Sequence, residues 1–570
     1  MRRLFGILFL GCAGLCPAQM TLNQKLLDFQ QLAGLFDKQY GLYEWKRDAI
    51  HFDLLNTAPW LNRVRQSATD LDFYELCVEY VSSLQDAHDA FTLPSGFSAS
   101  LGFTIDLYDD TPLIDSINRL QLTASKFPFQ IGDELVSVDG TAAEDLIQGF
   151  LKYAVAANPR SQRRSAAGRI TSRFQALMPH AAEIGDSAVV VIRRQSGNLE
   201  TYTVPWIKTG TPVVQVGPVV ALSRRRTGKP QRAEEPPSGD PAPEYLRPLL
   251  ELQSDTVAAE TYTNISNIGA LSPLFALPKE FVQRLGRGLS DEYFTGTLPI
   301  SGKTIGFIRL PSFSPRTSTA AALQQLSGEL LYFQAHTDGL IVDEMRNPGG
   351  IVSWQNTVCQ YFIPYPFRVT GWSMRATASR VQSFYNNLNL AKLTGAPAAT
   401  VALYQTLLDE MQAAYAQNRG MTDPVPLDGP SLERQPATDA SGAILAYTKP
   451  LIVLVDEFSI SGGDQFAAVM QDAGRGPIVG IRTMGAGGTN GSFPATDYSE
   501  GITGITFGIA VRAKSIATAD FGVTNYTENV GVRPDIEIDY MTKDNLLNRG
   551  APFFTSVTSV TVDWINKNSQ

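Results

Sequence analysis

Apolar residues recur every three or four positions over the first part of the chain, from about Leu22 to Leu93. The stretches that carry this spacing are LLDFQQLAGLF and LDFYELCVEYVSSLQDAH. Such spacing places the apolar side chains on one face of an α-helix. The pattern therefore predicts a helical N-terminal domain over residues 19–98.

The periodicity changes to alternation at about Leu101. LGFTIDLY alternates, FPFQIGDELVSVDG ends in a turn before the helical AAEDLIQGFLKYA, and SAVVVIRR is followed by a polar turn and LETYTVPW. Alternation and short turns are typical of strands and hairpins. We expect a small mixed domain over residues 99–210.

A break in composition follows this domain. SRRRTGKPQRAEEPPSGDPAPEYLRP is rich in Pro, Arg and Glu and has no apolar periodicity, which predicts a flexible linker over residues 211–255. The three consecutive residues Arg224, Arg225 and Arg226 are open to two interpretations, a processing site or a solvated run of charge.

Strands and helices alternate in the rest of the chain, residues 256–570. In order they are KTIGFIRLPSF, STAAALQQLSGELLYFQAH, GLIVDEMRNPGG, KPLIVLVDE, SGGDQFAAVMQDAG and PIVGIRT. The long polar stretch at about 370–447 has the character of an insertion. This order predicts an α/β core with a mostly parallel sheet, on which active sites lie at the carboxyl ends of the strands.

Composition narrows the class of protein. A 570-residue chain with 44% hydrophobic and 18% charged residues is an ordinary multidomain globular protein. A net charge of -9 argues against nucleic acid as the main partner. No Cys or His cluster has the spacing of a metal site and no glycine-rich phosphate loop is found, so we expect no cofactor.

The N-terminus, MRRLFGILFLGCAGLCPAQ, has two arginines, a short apolar core and small residues before Ala18. These features predict an export signal over residues 1–18 and a periplasmic or extracellular location. A lipoprotein-like site at Cys12 is the alternative. No later apolar run is long enough for stable membrane insertion. Cleavage after Ala18 leaves Cys77 and Cys359, which we expect in the core rather than in a disulfide framework.

The stretch VDEFSISGGDQF raises the main chemical question, because a buried strand passes through serines and glycines directly into a helix. One interpretation is a capped helix start. The other is a nucleophile elbow that exposes Ser461, with the N–H groups of Gly462 and Gly350 as donors to an oxyanion. Gly349 and Gly350 are equally compatible with a plain tight turn.

A serine nucleophile needs a base, and the chain has four histidines, His51, His88, His180 and His336. Sequence spacing does not choose among them, because members of a catalytic triad converge from distant segments.

An ordered set of motifs resembles serine peptidases of the C-terminal processing protease and tricorn-core family. The set is LQDAHDAF, IGDELVSVDG, TIGFIRLPSF, GLIVDEMRNPGG, the elbow and YTENVGVRPDIEI. One branch uses a lysine where this chain has Ala486, which argues against a Ser-Lys dyad. The resemblance is greater to the branch of tricorn and the chlamydial protease-like activity factor. It implies Ser461 as nucleophile, His88 as base and Glu528 as the orienting carboxylate, although Ala87 stands where tricorn has a hydroxyl.

The resemblance further implies a PDZ-like second domain, protein or peptide substrates, a homodimer and activation by self-cleavage in the linker. The function expected is therefore an exported serine endopeptidase with a Ser-His-Glu mechanism. The alternative is a catalytically inactive module on the same fold that binds peptides or lipophilic ligands. The retention of Ser461, His88 and Glu528 argues against that alternative.

Overall fold

The computed structural model describes residues 19–214, 243–253 and 265–568. The predicted export signal and residues 215–242 of the predicted linker lie outside this part of the chain. Within it, no helix is both long enough and apolar enough to cross a membrane.

The N-terminal region is helical, as its periodicity predicts. Its helices are α1 (Leu22–Gln39), α2 (Tyr43–Ala49), α3 (Ala58–Gln66) and α4 (Asp70–Ser82). Capping boxes at Thr21 and Thr69 fix the starts of α1 and α4. The helices pack around a cluster of buried aromatic rings that includes Phe29, Phe36 and Tyr80.

The second region contains two antiparallel sheets. After the short strand β1 (Phe91–Thr92), which still belongs to the N-terminal region, the strands of these sheets are β2 (Ser98–Ser100), β3 (Phe103–Tyr108), β4 (Thr111–Ile117), β5 (Glu134–Val138), β6 (Thr141–Ala142), β7 (Ser172–Phe174), β8 (Ser187–Arg193), β9 (Leu199–Pro205) and β10 (Ile207–Thr209). One sheet has the order β3-β4-β5-β8-β9 with β6 beside β5, and the other has the order β10-β2-β7. Helices α5 (Ala143–Phe150) and α6 (Pro159–Thr171) lie in the same region, and β8 and β9 form the predicted hairpin.

A seven-stranded sheet organises the last region. Its strands are β11 (Val282–Leu285), β12 (Phe294–Ile300), β13 (Lys303–Arg309), β14 (Gly339–Asp343), β18 (Leu451–Val455), β19 (Ile478–Gly480) and β23 (Ile536–Glu537), paired in that order. The pairings from β13 through β14, β18 and β19 to β23 are all parallel, which confirms the predicted mostly parallel sheet.

Helices lie around this sheet and extend from it. They are α7 (Arg247–Gln253), α8 (Thr319–His336), α9 (Val352–Phe362), α10 (Ala378–Leu393), α11 (Ala398–Ala416), α12 (Gly462–Ala473), α13 (Lys543–Leu547) and α14 (Ala551–Asn568). Helices α10 and α11 belong to the predicted insertion. Strand β15 (Phe367–Arg368), just before the insertion, pairs with β17 (Glu433–Arg434) within it. Helix α7 lies within the range that the sequence assigns to the linker.

A five-stranded antiparallel sheet packs beside the parallel one. The long strand β21 (Ile502–Thr518) is its centre and pairs with β1, β16 (Gly371–Met374), β20 (Gly488–Pro494) and β22 (Gly522–Tyr526). Strand β1 comes from the N-terminal region, with Phe91 opposite Thr503. This sheet therefore joins the beginning of the chain to its end.

Candidate active site

The elbow after β18 holds Ser461 in a strained backbone conformation. Ser461 has φ 55° and ψ -110°, a region that residues with a side chain rarely adopt. Helix α12 begins at the next residue, Gly462. Strain of this kind collects at functional sites, and a sharp turn from strand to helix is the geometry of a nucleophile elbow.

The two elbow serines differ in their surroundings. Ser459 is fully buried, and its hydroxyl donates to the carbonyl oxygen of Glu344 at 3.1 Å and accepts from the Asp456 N–H at 3.2 Å. Ser461 is 8% exposed. It lines a small cavity together with Leu252, Gln253, Val352, Trp372, Gly488, Thr489 and Asn490. Ser459 therefore has a structural role, whereas Ser461 borders the cavity.

The glycine pair after β14 packs directly on the elbow. Gly349 and Gly350 have φ 90° and 142°, and a Cβ atom on Gly349 would lie 2.8 Å from the Ser461 Cβ. A Cβ atom on Gly462 would lie 3.3 Å from the Gly350 nitrogen. The backbone nitrogens of Gly350 and Gly462 are thus close neighbours beside Ser461, where a pair of oxyanion donors would have to lie.

Asp464 fastens the elbow to the loop that follows β19. Its carboxylate accepts from the N–H groups of Ser461 at 3.0 Å, Gly485 at 2.8 Å and Ala486 at 2.9 Å, and from the Thr483 hydroxyl. Burial raises the pKa of Asp464 to about 6, although these hydrogen bonds oppose the rise.

His88 is buried at the point where α4 gives way to β1. Its backbone N–H donates to the Asp86 carboxylate at 3.0 Å, and its Nδ1 lies 3.7 Å from the same oxygen. Its carbonyl oxygen accepts from the Asn490 side chain at 3.1 Å, and a Cβ atom on Gly488 would lie 3.2 Å from Nδ1. Gly488 and Asn490 also line the Ser461 cavity, so Ser461 and His88 share neighbours.

The other three histidines lie in ordinary surroundings. His51 is exposed in a turn. The His180 ring lies near the surface, with its nitrogens 3.0 Å from Glu183, 3.3 Å from Asp72 and 3.7 Å from Glu75. His336 stacks on the Tyr332 ring at the end of α8. These positions leave His88 as the candidate base.

Glu528 lies fully buried just after β22. One carboxylate oxygen accepts from the Gly487 N–H at 2.9 Å, and the other accepts from the Lys46 ammonium of α2. Burial and the charge of Asp86 raise the pKa of Glu528 to about 7, against the opposing effect of Lys46. Burial alone would raise the pKa of Asp86 as well, but Lys46 and His88 lower it to about 2.

Asp86, His88 and Glu528 offer ligand atoms that all lie within 4.8 Å of one another. This spacing could hold a metal ion, but the Lys46 ammonium already contacts Glu528 and supplies a positive charge there. The group is therefore a compact charged cluster behind the Ser461 cavity.

The structure brings the expected residues Ser461, Gly350 and Gly462 together on the parallel sheet, and His88 and Glu528 together on the antiparallel one. It also supplies residues that the sequence interpretation missed. Asp86 stands two positions before His88 and could have been noticed from that spacing. Lys46 is separated from Glu528 by 482 positions, so nothing in the local sequence points to the pair.

Comparison with known proteins identifies two parts of the chain. Residues 304–538 match peptidase family S41, and residues 97–213 match the PDZ domain family. A protein of Chlamydia pneumoniae is 22% identical, over 99% of this chain and 94% of its own length. A protein of Chlamydia trachomatis serovar D is 23% identical, over 96% of this chain and 94% of its own length.

Among solved structures, mature CPAF complexed with lactacystin superposes with a TM-score of 0.74. It is 20% identical in sequence, and the match covers 96% of this chain and 99% of that one. The chain therefore has the same fold over nearly its whole length.

Proposed function

We propose that the protein is an exported serine endopeptidase, because residues 304–538 match peptidase family S41 and residues 97–213 match a PDZ domain. Its substrates are unfolded or extended protein segments. The observation that carries the proposal is the strained Ser461. It lines a cavity with Gly488 and Asn490, and both of these residues lie beside His88.

In the proposed mechanism His88 accepts the proton of the Ser461 hydroxyl as the oxygen attacks the substrate carbonyl. The N–H groups of Gly350 and Gly462 stabilise the oxyanion. His88 then gives its proton to the leaving amine, and an acyl group remains on Ser461. A water activated by His88 releases that acyl group. Asp86 and Glu528 supply the negative charge that stabilises the imidazolium.

Self-cleavage in the linker is the second part of the proposal. The expected cleavage range, Ser223 to Ala242, lies outside the described residues. The segment that follows this range, which contains α7, supports self-cleavage. Helix α7 ends at the cavity, where the Thr489 hydroxyl donates to the Leu252 carbonyl at 2.6 Å and the Gln253 amide donates to the Leu427 carbonyl at 2.7 Å. A cut before α7 would free one end of this segment.

The PDZ domain suggests how substrates are recruited, because such domains bind extended peptides by strand addition. A homodimer is part of the same proposal and rests on the resemblance alone. Export rests on the signal-like residues 1–18.

A fluorophosphonate probe, which forms a covalent bond with activated serines, tests the proposal directly. We expect labelling of Ser461, found by mass spectrometry of the digested protein, together with hydrolysis of casein. Loss of both in Ser461→Ala would support the proposal. A folded protein that neither reacts with the probe nor cleaves casein would instead be the inactive binding module.

A further inference from the structure

Helix α2 of the N-terminal region sends one side chain into the candidate active site. Lys46 is 1% exposed, and its ammonium donates to the Glu528 carboxylate, to the Asn529 side chain at 2.8 Å and to the Gln85 carbonyl at 2.9 Å. An ammonium has three hydrogens to donate. One acceptor, Glu528, belongs to the candidate triad, and the other two lie close to it in the chain, since Asn529 follows Glu528 and Gln85 is three positions before His88.

The neighbouring Trp45 strengthens this attachment. Its ring N–H donates to the Asn529 side chain at 3.2 Å, and the ring packs edge-on against Tyr526 at 5.2 Å between centroids. Asn529 in turn donates to the carbonyl oxygens of Gln85 and Ala157, both at 2.9 Å. Helix α2 thus fixes both segments that carry the candidate base and its carboxylate.

The charges around Lys46 explain why a cation is needed here. Three buried carboxylates, Asp86, Asp89 and Glu528, lie around His88. Asp86 accepts from the Tyr40 hydroxyl at 3.0 Å, and Asp89 accepts from Thr506 on β21. Burial raises the pKa values of Asp89 and Glu528, the charge of Asp86 adds to the rise in both, and Lys46 opposes it.

We propose that Lys46 is a positioning residue of the proposed peptidase reaction: its ammonium, bonded to the Glu528 carboxylate, favours the charged form of that group and holds it beside His88. The N-terminal helical region is then a working part of the catalytic centre and not only a flanking domain. This inference rests on the proposed function, because it assigns Lys46 a role in the proposed triad.

The main test compares Lys46→Met with Lys25→Met in the full-length protein. Lys25 is a matched control: it is a buried lysine of α1 whose ammonium donates to the Thr69 carbonyl at 2.8 Å and pairs with Asp70, away from the site. We measure kcat/KM for a casein-derived peptide and the rate of fluorophosphonate labelling from pH 6 to pH 10.

Removal of an opposite charge raises the pKa of a carboxyl group by about one to three units. For Lys46→Met we expect the rising limb of the pH profile to move up by that amount, with a loss of about five- to 500-fold at pH 7 that shrinks at pH 10. Lys46→Arg, which keeps the charge, should retain the wild-type limb. Lys25→Met should lower the melting temperature but leave the limb in place.

Two results would overturn the inference. One is a pH profile of the folded Lys46→Met protein whose rising part lies at the same pH as in the wild type. The other is a pH profile of Lys25→Met that is shifted by as much as that of Lys46→Met. The proposed function fails in a different way, since the wild type itself would then show neither hydrolysis nor labelling.

Lys46→Met leaves Glu528 buried without its cation, which is a strongly destabilising change. If that variant does not fold, the double variant Lys46→Met/Glu528→Gln is compared with Glu528→Gln. A residue that acts through Glu528 adds no further loss of labelling once Glu528 is neutral. An additional loss in the folded double variant would refute the proposed role.

Discussion

The backbone N–H of Ser461 donates to the carboxylate of Asp464 at 3.0 Å, across the first turn of α12. The same carboxylate accepts from the Gly485 and Ala486 N–H groups. One buried side chain therefore holds the proposed nucleophile and the loop that leads to Gly488. Ala486 occupies the position where the resemblance places the lysine of the other branch, and its backbone has a structural role here.

Asp464→Asn should impair the elbow. The NH₂ group of asparagine would face backbone N–H groups that need an acceptor, so hydrogen bonds would be lost. Each lost hydrogen bond to a charged group lowers the free energy of unfolding by about 1.5–3 kcal/mol. We expect at least tenfold slower fluorophosphonate labelling and a lower melting temperature. Asp439→Asn is the control, because that exposed carboxylate also accepts from backbone N–H groups but lies in the insertion. Equal behaviour of the two variants would show that Asp464 does not hold the site.

Ser461→Ala should abolish casein hydrolysis, because it removes the attacking oxygen, and should leave the fold intact. Ser459→Ala should retain far more activity, since its hydroxyl only bridges Asp456 and Glu344. Circular dichroism and a casein assay on both proteins provide the comparison. A dead Ser459→Ala protein with an active Ser461→Ala protein would reverse the assignment.

His88→Ala should lose about 10²–10⁴-fold in kcat, the usual contribution of a positioned general base. His336→Ala provides the control, because that ring lies on the surface beside Tyr332. Substitution of Lys514, the lysine downstream of the elbow, should have little effect. A dispensable His88 together with an essential Lys514 would restore a Ser-Lys mechanism.

The pKa of Glu528, about 7 against an ordinary value of 4.5, makes two predictions about pH. Activity should rise as pH increases through about 7, because the carboxylate form stabilises the imidazolium. Stability should change in the opposite sense. A raised carboxyl pKa contributes stability below pH 4.5 that is lost as pH rises to about 7.

Thermal unfolding of wild type and Glu528→Gln across this range isolates the effect of Glu528. The melting temperature of the wild type should fall more steeply between pH 4.5 and 7 than that of the variant, in which this group does not titrate. Parallel curves for the two proteins would contradict the assignment. Asp464 titrates in the same direction in both proteins, so its contribution cancels.

The wild type should mature into two associated fragments, split between about Ser223 and Ala242, because this stretch lacks core-forming periodicity and is rich in proline and charge. Ser461→Ala should stay whole until active enzyme is added. Intact-mass spectrometry on both proteins gives the answer. A fully active wild type that remains one chain would leave the segment a passive linker.

Sequence patterns were sufficient to predict the part of the candidate site that lies on the parallel sheet. The apolar strands β14 and β18 each end in a glycine-containing turn, and parallel strands bring those turns to one edge. The Cys77 and Cys359 side chains also lie in the core, as expected.

The part of the candidate site that lies beside the antiparallel sheet could not be predicted in the same way. Strand β21, which also pairs with β20 and β22, pairs with β1 over some 400 positions, as between Phe91 and Thr503. Likewise a lysine on a short helix is usually solvated, and only its distant partners show that Lys46 is buried. The family resemblance provided His88 and Glu528, whereas Asp86, Asp464 and Lys46 required the three-dimensional arrangement.

The pairing of β1 with β21 also has a consequence for how the protein evolves. His88 and Lys46 lie before the linker, and Ser461 and Glu528 lie after it, so neither half of the chain holds all the residues of the proposed active site. A cut linker would leave a protein that resembles an obligate heterodimer whose two subunits are encoded by one gene. A substitution in one half must remain compatible with the other half, because the two halves meet at the proposed active site.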